Sequence, residues 1–137
     1  MNYVFDASFV GALIIPDEKK AEIDSIRASI DEEDDVFTPQ LFWYEIASIF
    51  QNLIRRKRYS YNSVLQLFPM LTAIRLTIDH ETGIEYSQKL LRLCNDYNLS
   101  AYDAAYLELA DRKNATLCTL DEGLQAAAEK HGVAVLK

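Results

Sequence analysis

Glycine and proline are scarce, at four and three among 137 residues. That leaves no material for collagen-like repeats, long flexible linkers or low-complexity tracts. Cysteine is scarcer still. Cys94 and Cys118 lie in apolar sequence without metal-ligand spacing, which excludes a disulfide framework and points to buried free thiols in a reducing compartment. Basic residues are outnumbered, 14 against 21 acidic ones, for a net charge of −7. Bulk positive charge therefore cannot hold a nucleic acid, and a polyanion would need a metal ion or a small basic patch. Long apolar runs are missing as well. Phe9 to Ile15 is too short to span a bilayer and stops at Pro16, and no basic stretch precedes a signal-like run. The expectation is a cytoplasmic protein that does not engage a membrane. What is present is ordinary globular composition, half hydrophobic and 26% charged, at the usual length of one domain, so residues 1–137 are expected to share one core.

Short β-type runs alternate with helical patterns. Asn2–Phe5 reads as a strand meeting Asp6 abruptly, and Ala7–Ile15 as a short apolar helix ended by Pro16. Asp17 and Glu18 open a second helix running to about Ile30, and Asp31–Asp35 is a solvated loop. Val36–Thr38 is a strand, Pro39 suits a helix start, and Gln40 to about Arg58 is a long helix. A helix over Ser60–Thr72 precedes a strand over Ile74–Ile78, where apolar and polar residues alternate. Helices at Glu81–Asn95 and Ala101–Lys113, a strand at Thr116–Thr119, a helix at Glu122–Lys130 and a closing strand at Val133–Leu136 complete the chain. No hairpin signal occurs. Strands joined only through helices run mostly parallel, so the expected fold is an α/β/α three-layer sandwich on a mostly parallel sheet of four to five strands.

Sites in open parallel sheets form beyond the carboxyl ends of the strands, near the switch in strand order. Asp6 ends the first strand, Asp121 stands just past the fourth, and Asp103 lies in the first turn of the helix before it. Glu45 interrupts the almost wholly apolar stretch Leu41–Phe50 and shares a helical stripe with Ser48 and Asn52. A carboxylate partly withdrawn from water needs hydrogen bonds or a cation, and no Lys or Arg lies on its stripe before Arg55. Four carboxylates in one pocket raise each other's pKa values unless a divalent ion sits among them. Hard oxygen donors without His or Cys favour Mg²⁺ or Mn²⁺ over Zn²⁺. Such an ion polarises a phosphate and activates water. Neither His80 nor His131 has a nucleophile-like motif beside it, and a Gly-rich phosphate loop is lacking. Each Asp also has a plainer reading: Asp6 and Asp121 as helix caps, Ser100–Asp103 and Thr119–Glu122 as capping boxes. Capping does not account for Glu45, an acid in mid-helix.

Val4-Phe-Asp-Ala-Ser8, Glu45 in its apolar helix, Leu99-Ser-Ala-Tyr-Asp-Ala-Ala105 and Cys118-Thr-Leu-Asp121 together resemble the PIN-domain ribonucleases. Among these the chain looks most like the VapC toxins of bacterial and archaeal toxin–antitoxin pairs, over essentially its whole length. The resemblance implies a PIN-like fold in which Asp6, Glu45, Asp103 and Asp121 are the catalytic, metal-binding quartet. Ser8 matches the hydroxyl residue that supports the first Asp, and Thr119 the hydroxyl residue before the last acid. Ser48 stands where many relatives carry Asn, which bears on the shape of the pocket. The resemblance further implies a Mg²⁺- or Mn²⁺-dependent endoribonuclease that inhibits translation, is held inactive by a cognate antitoxin, commonly dimerises, and cuts RNA such as tRNA or ribosomal RNA. A catalytically inactive PIN-like protein-binding module is the alternative. Loss of a quartet acid would favour it, and all four are present.

Two features lie outside that motif set. Arg55–Arg58 is the only dense basic run, either complementing a helix dipole or, through Arg55 and Arg56, contacting RNA phosphates. Phe42, Trp43, Tyr44, Phe50, Tyr59, Tyr61 and Phe68 crowd two helices; most are expected in the core, with the remainder offering an apolar surface to a partner subunit or antitoxin helix. Other Asp-based chemistries fit poorly. A haloacid-dehalogenase-type phosphatase requires a second Asp where Ser8 stands. A phosphoacceptor receiver requires paired acids after the first strand and a Lys near the end of the last, where the only nearby lysine is Lys137.

Overall fold

Strand β1 (Asn2–Phe5) lies inside a sheet ordered β3-β2-β1-β4, with β2 at Asp35–Pro39, β3 at Leu76–Asp79 and β4 at Thr116–Cys118. A computed structural model describes residues 1–16 and 21–136. All three strand pairings are parallel, with Val4 opposite Phe37 on one side and Leu117 on the other. The expected closing strand shrinks to one parallel bridge, Leu117 to Val135, beside β4. The expected opening of the second helix, at Asp17 and Glu18, lies outside the described residues.

Alternation along each strand creates the three layers. Tyr3, Phe5, Val36 and Cys118 face one core, while Val4, Phe37 and Leu117 face the other. Helices α1 (Ala7–Ile14), α2 (Ala21–Ala28), α3 (Phe42–Arg55), α4 (Tyr61–Leu65) and α5 (Phe68–Thr72) supply the first core. Helices α6 (Ile84–Tyr97), α7 (Ala101–Arg112) and α8 (Glu122–His131) supply the second. In α3 the inward residues Phe42, Ile46, Phe50 and Leu53 follow helical spacing. Truncating the fully buried Phe42 to Ala is expected to cost about 3–5 kcal/mol.

Several boundaries depart from the sequence expectation, each for a local reason. The long helix starts at Phe42, because Pro39 remains in β2, and ends at Arg55, because Lys57 adopts a left-handed φ of 57°. The helix expected over Ser60–Thr72 divides into α4 and α5. Pro69, without an N–H, cannot bond back to Leu65 and restarts the helix in its first turn. Strand β3 begins only at Leu76, since Arg75 has φ 56°. Helix α6 starts after Gly83 and ends on a left-handed Asn98. The aromatic crowd is also less buried than expected. Phe42 and Phe50 are core, whereas Trp43, Tyr44, Tyr61 and Phe68 are exposed, because they fall off the inward stripe of their helices. Cys118 is buried and Cys94 partly so, both as free thiols, and burial beside Asp6 pushes the Cys118 thiol up to about 12. No helix among the described residues is long and apolar enough to cross a membrane.

Candidate active site

With β4 on one side of β1 and β2–β3 on the other, strand order reverses between β1 and β4. The crevice beyond their carboxyl ends is where this architecture leaves room for a ligand. A cleft of about 830 Å³ opens there, lined by Asp6, Ser8, Tyr44, Glu45, Ser48, Asn52, Tyr102, Asp103, Tyr106 and Asp121, with Ala7, Leu41 and Ile49 between them. The four acids singled out in the sequence thus come from β1's end, α3, α7 and the start of α8 and share one wall-to-wall space. Among the described residues no Lys, Arg or His lines it.

Asp6 is the most constrained. It is 6% exposed, and its Oδ1 accepts from the Phe9 N–H at 2.9 Å, capping α1, and from the Ser8 hydroxyl at 2.7 Å. Its Oδ2 accepts from the Thr119 hydroxyl. An ionised carboxylate has about four lone-pair sites. Three are filled by the protein, which leaves one on Oδ2. Capping and a place in the cleft are therefore not rival roles: one carboxylate fulfils both. Asp121 behaves similarly, its Oδ1 capping α8 through the Leu124 N–H at 3.0 Å. A side chain at Gly123 would come within 3.2 Å of that oxygen, so glycine keeps the cap open. Thr119 also receives the Asp121 N–H at 3.1 Å, joining the two acids through one hydroxyl.

Glu45 projects from α3 and accepts the Tyr106 hydroxyl on Oε1 at 2.6 Å. Tyr106 is 1% exposed on α7, three residues beyond Asp103 and hence on its face of the helix. Burial and the Glu45 carboxylate push this phenol well above its ordinary range, so it stays a donor. Behind it the fully buried Thr38 hydroxyl donates to the Phe5 carbonyl at 3.0 Å, at the residue before Asp6. Sequence reasoning missed Tyr106 and Thr38. The i, i+3 spacing from Asp103 to Tyr106 was the available signal.

The electrostatics are strained. Burial raises Asp6, its hydrogen bonds from Thr119, Phe9 and Ser8 pull it back, and Asp103 adds repulsion. Burial raises Glu45 too, with Asp6 and Asp103 adding to it against the Tyr106 hydrogen bond. Asp103 rises through burial and Asp121, opposed by the Ser100 hydroxyl. Among the described residues no three His, Cys, Asp or Glu side chains are clustered closely enough to grip a metal ion as they stand. The donor chemistry nonetheless fits a hard divalent cation: mutually repelling carboxylates with hydroxyls and the Asn52 carboxamide, and among the described residues no protein cation lining their cleft. Arg55 and Arg56, at the end of α3, are not among the lining residues.

The PIN domain family model matches residues 3–130. The chain belongs to the PIN domain family. It is 26% identical over 129 residues to Ribonuclease VapC3 of Pyrobaculum aerophilum, covering 90% of this chain and 92% of that one. Its fold is similar to that of Mycobacterium tuberculosis VapC20, described as a sarcin-ricin loop cleaving toxin, with TM-score 0.68 and 17% identity over 91% of this chain and 94% of that one. It is similar also to VapBC2 from Rickettsia felis, solved bound to a DNA fragment from its promoter, with TM-score 0.69 and 12% identity over 99% and 98% of the two chains.

A second set of carboxylates in this PIN domain is arranged differently. Arg112 on α7 makes a two-pronged bond to Asp79 at 2.9 and 2.7 Å and another to Glu108 at 2.8 and 2.9 Å. Its guanidinium holds Asp79 below the usual carboxylate range. This ion network pins the end of β3 to α7, on which Asp103 and Tyr106 are carried.

Proposed function

We propose that this PIN domain is a metal-dependent endoribonuclease, the toxin of a toxin–antitoxin pair. One observation carries the reading: four carboxylates line a single crevice at the switch point, and among the described residues no protein cation lines it with them. Asp6, Glu45, Asp103 and Asp121 would hold Mg²⁺ or Mn²⁺. Such an ion would supply Lewis-acid polarisation of a phosphodiester and would lower the pKa of the attacking water. Ser8 and Thr119 fix Asp6 by hydrogen bonding, Tyr106 fixes Glu45, and Ser48 and Asn52 offer neutral polar groups on the same wall. RNA as substrate, with tRNA or ribosomal RNA as candidates, is supported by the likeness to Ribonuclease VapC3 and to a toxin that cleaves the sarcin-ricin loop. A cognate antitoxin as partner is supported by the likeness to VapBC2 and by the exposed Trp43, Leu65, Phe68 and Met70 on α3–α5, an apolar surface suited to a partner helix or a second copy. A homodimer acting in the cytoplasm belongs to the same reading.

The test is incubation of antitoxin-free protein with total RNA and Mg²⁺ or Mn²⁺. Discrete fragments that vanish with EDTA and with Asp6→Asn support the nuclease. Absence of both cleavage and metal binding overturns it and leaves the inactive protein-binding module.

A further inference from the structure

We propose that Tyr44 and Tyr102 are stacking platforms for unpaired bases flanking the phosphodiester held in the acidic cleft. The inference rests on the ribonuclease reading and adds to it the side chains that hold the bases beside the cut.

Both rings line the cleft, from different helices, α3 and α7. Tyr44 is 79% exposed and Tyr102 64% exposed, the most open aromatic side chains bordering that space. Among the described residues neither side chain has a hydrogen-bond partner or a packed aromatic ring, so the fold makes little use of either phenol. Each directly precedes a carboxylate of the quartet: Tyr44 precedes Glu45 and Tyr102 precedes Asp103. The two rings therefore border the acids on two walls.

Electrostatics favour such rings. The chain carries −7, and the described residues that line the cleft include acids but no base, so these walls repel phosphate and contribute no counterion-release affinity. Stacking on a neutral phenol is insensitive to that field and is available to every base. Bases inside a duplex already cover each other's faces and have none to offer. The substrate that gains from these rings is a single strand, loop or bulge with splayed bases beside the cut.

The experiment compares wild type, Tyr44→Phe, Tyr44→Ala, Tyr102→Phe and Tyr102→Ala. A fluorescent single-stranded RNA of randomised sequence, its duplex form and an abasic strand serve as probes. Anisotropy is read in Ca²⁺, another oxygen-seeking ion, and the KM for total-RNA cleavage in Mg²⁺. Each Ala variant should bind the single strand about 5- to 100-fold more weakly. Each Phe variant should stay near wild type, duplex and abasic strand should bind poorly to all, and thermal midpoints should not move. Ala variants that bind as wild type, Phe variants as weak as Ala, or duplex bound as well as single strand would overturn the proposal. So would loss of antitoxin binding alone, which would make these rings a protein contact. Ring-dependent binding without any cleavage would uphold the platforms and defeat the nuclease reading; cleavage with KM unchanged in the Ala variants would do the reverse.

Discussion

Asp103 and Glu108 stand on one helix and meet opposite surroundings. Glu108 is 5% exposed and bonded to Arg112, which also clasps Asp79 and lowers its pKa. Asp103 faces Asp6, Glu45 and Asp121 across a cleft that no base lines among the described residues, and its pKa is raised. The same functional group, a carboxylate, thus serves stability in one place and stores repulsion in the other. An ion pair completed within the fold is a structural device. A set of acids left uncompensated is a place for a cation, or a charge partner, from outside.

Among the described residues Arg112 alone bonds both carboxylates of the compensated region. Replacing it by Met leaves the buried Glu108 and the largely buried Asp79 unpaired, which is expected to cost about 3 kcal/mol or more. Urea unfolding checks this, and a loss below about 1 kcal/mol would remove the distinction between the two regions. At the cleft the sign reverses. Asp103→Asn removes a repelled charge, so the metal-free protein should keep or slightly gain stability, by under about 1 kcal/mol, while RNA cleavage falls. A fall in stability near that of the Arg112 variant would contradict the contrast.

The pH dependence sharpens it. Asp6, Glu45 and Asp103 have raised pKa values in the fold, so their contribution is fully present below the unfolded carboxylate range and is lost as pH rises through the raised values. Asp79 is lowered, so its contribution is present above that range and is lost as pH falls through its depressed value. Metal-free protein should therefore be most stable on the acid side of neutrality. Added Mn²⁺ should restore the neutral-pH thermal midpoint in wild type and not in Asp6→Asn. Thermal scans across pH, with and without the ion, decide this. The smallest effect is expected from Tyr106→Phe, which keeps the ring but frees Glu45. Metal affinity should drop about 10-fold, the scale of an outer partner that orients a ligand, with the fold intact.

Much of this was legible in the sequence. The alternation of short strands with helices specified a parallel three-layer fold, and Glu45 stood out because nothing else in its apolar stretch was charged. The caps at Asp6 and Asp121 were readable, but not their double duty, which depends on Thr119 reaching across from β4. The Arg112 network escaped notice because Asp79 and Arg112 are distant in sequence and only folding brings them together. Two local breaks, at Pro69 and Arg75, were hidden inside apolar runs whose periodicity looked continuous. The exposed aromatics of α3–α5 were misplaced for a related reason: composition reports how apolar a segment is, not which side of a helix each ring occupies.

The most direct measurement is calorimetric titration of Mn²⁺ into the antitoxin-free protein. If the acidic cleft awaits a cation, wild type binds the ion, Asp6→Asn and Asp103→Asn bind it at least about 10-fold more weakly, and Asp79→Asn, in the compensated network, binds as wild type. Equal affinity in all four proteins, or no binding by wild type, would contradict the account.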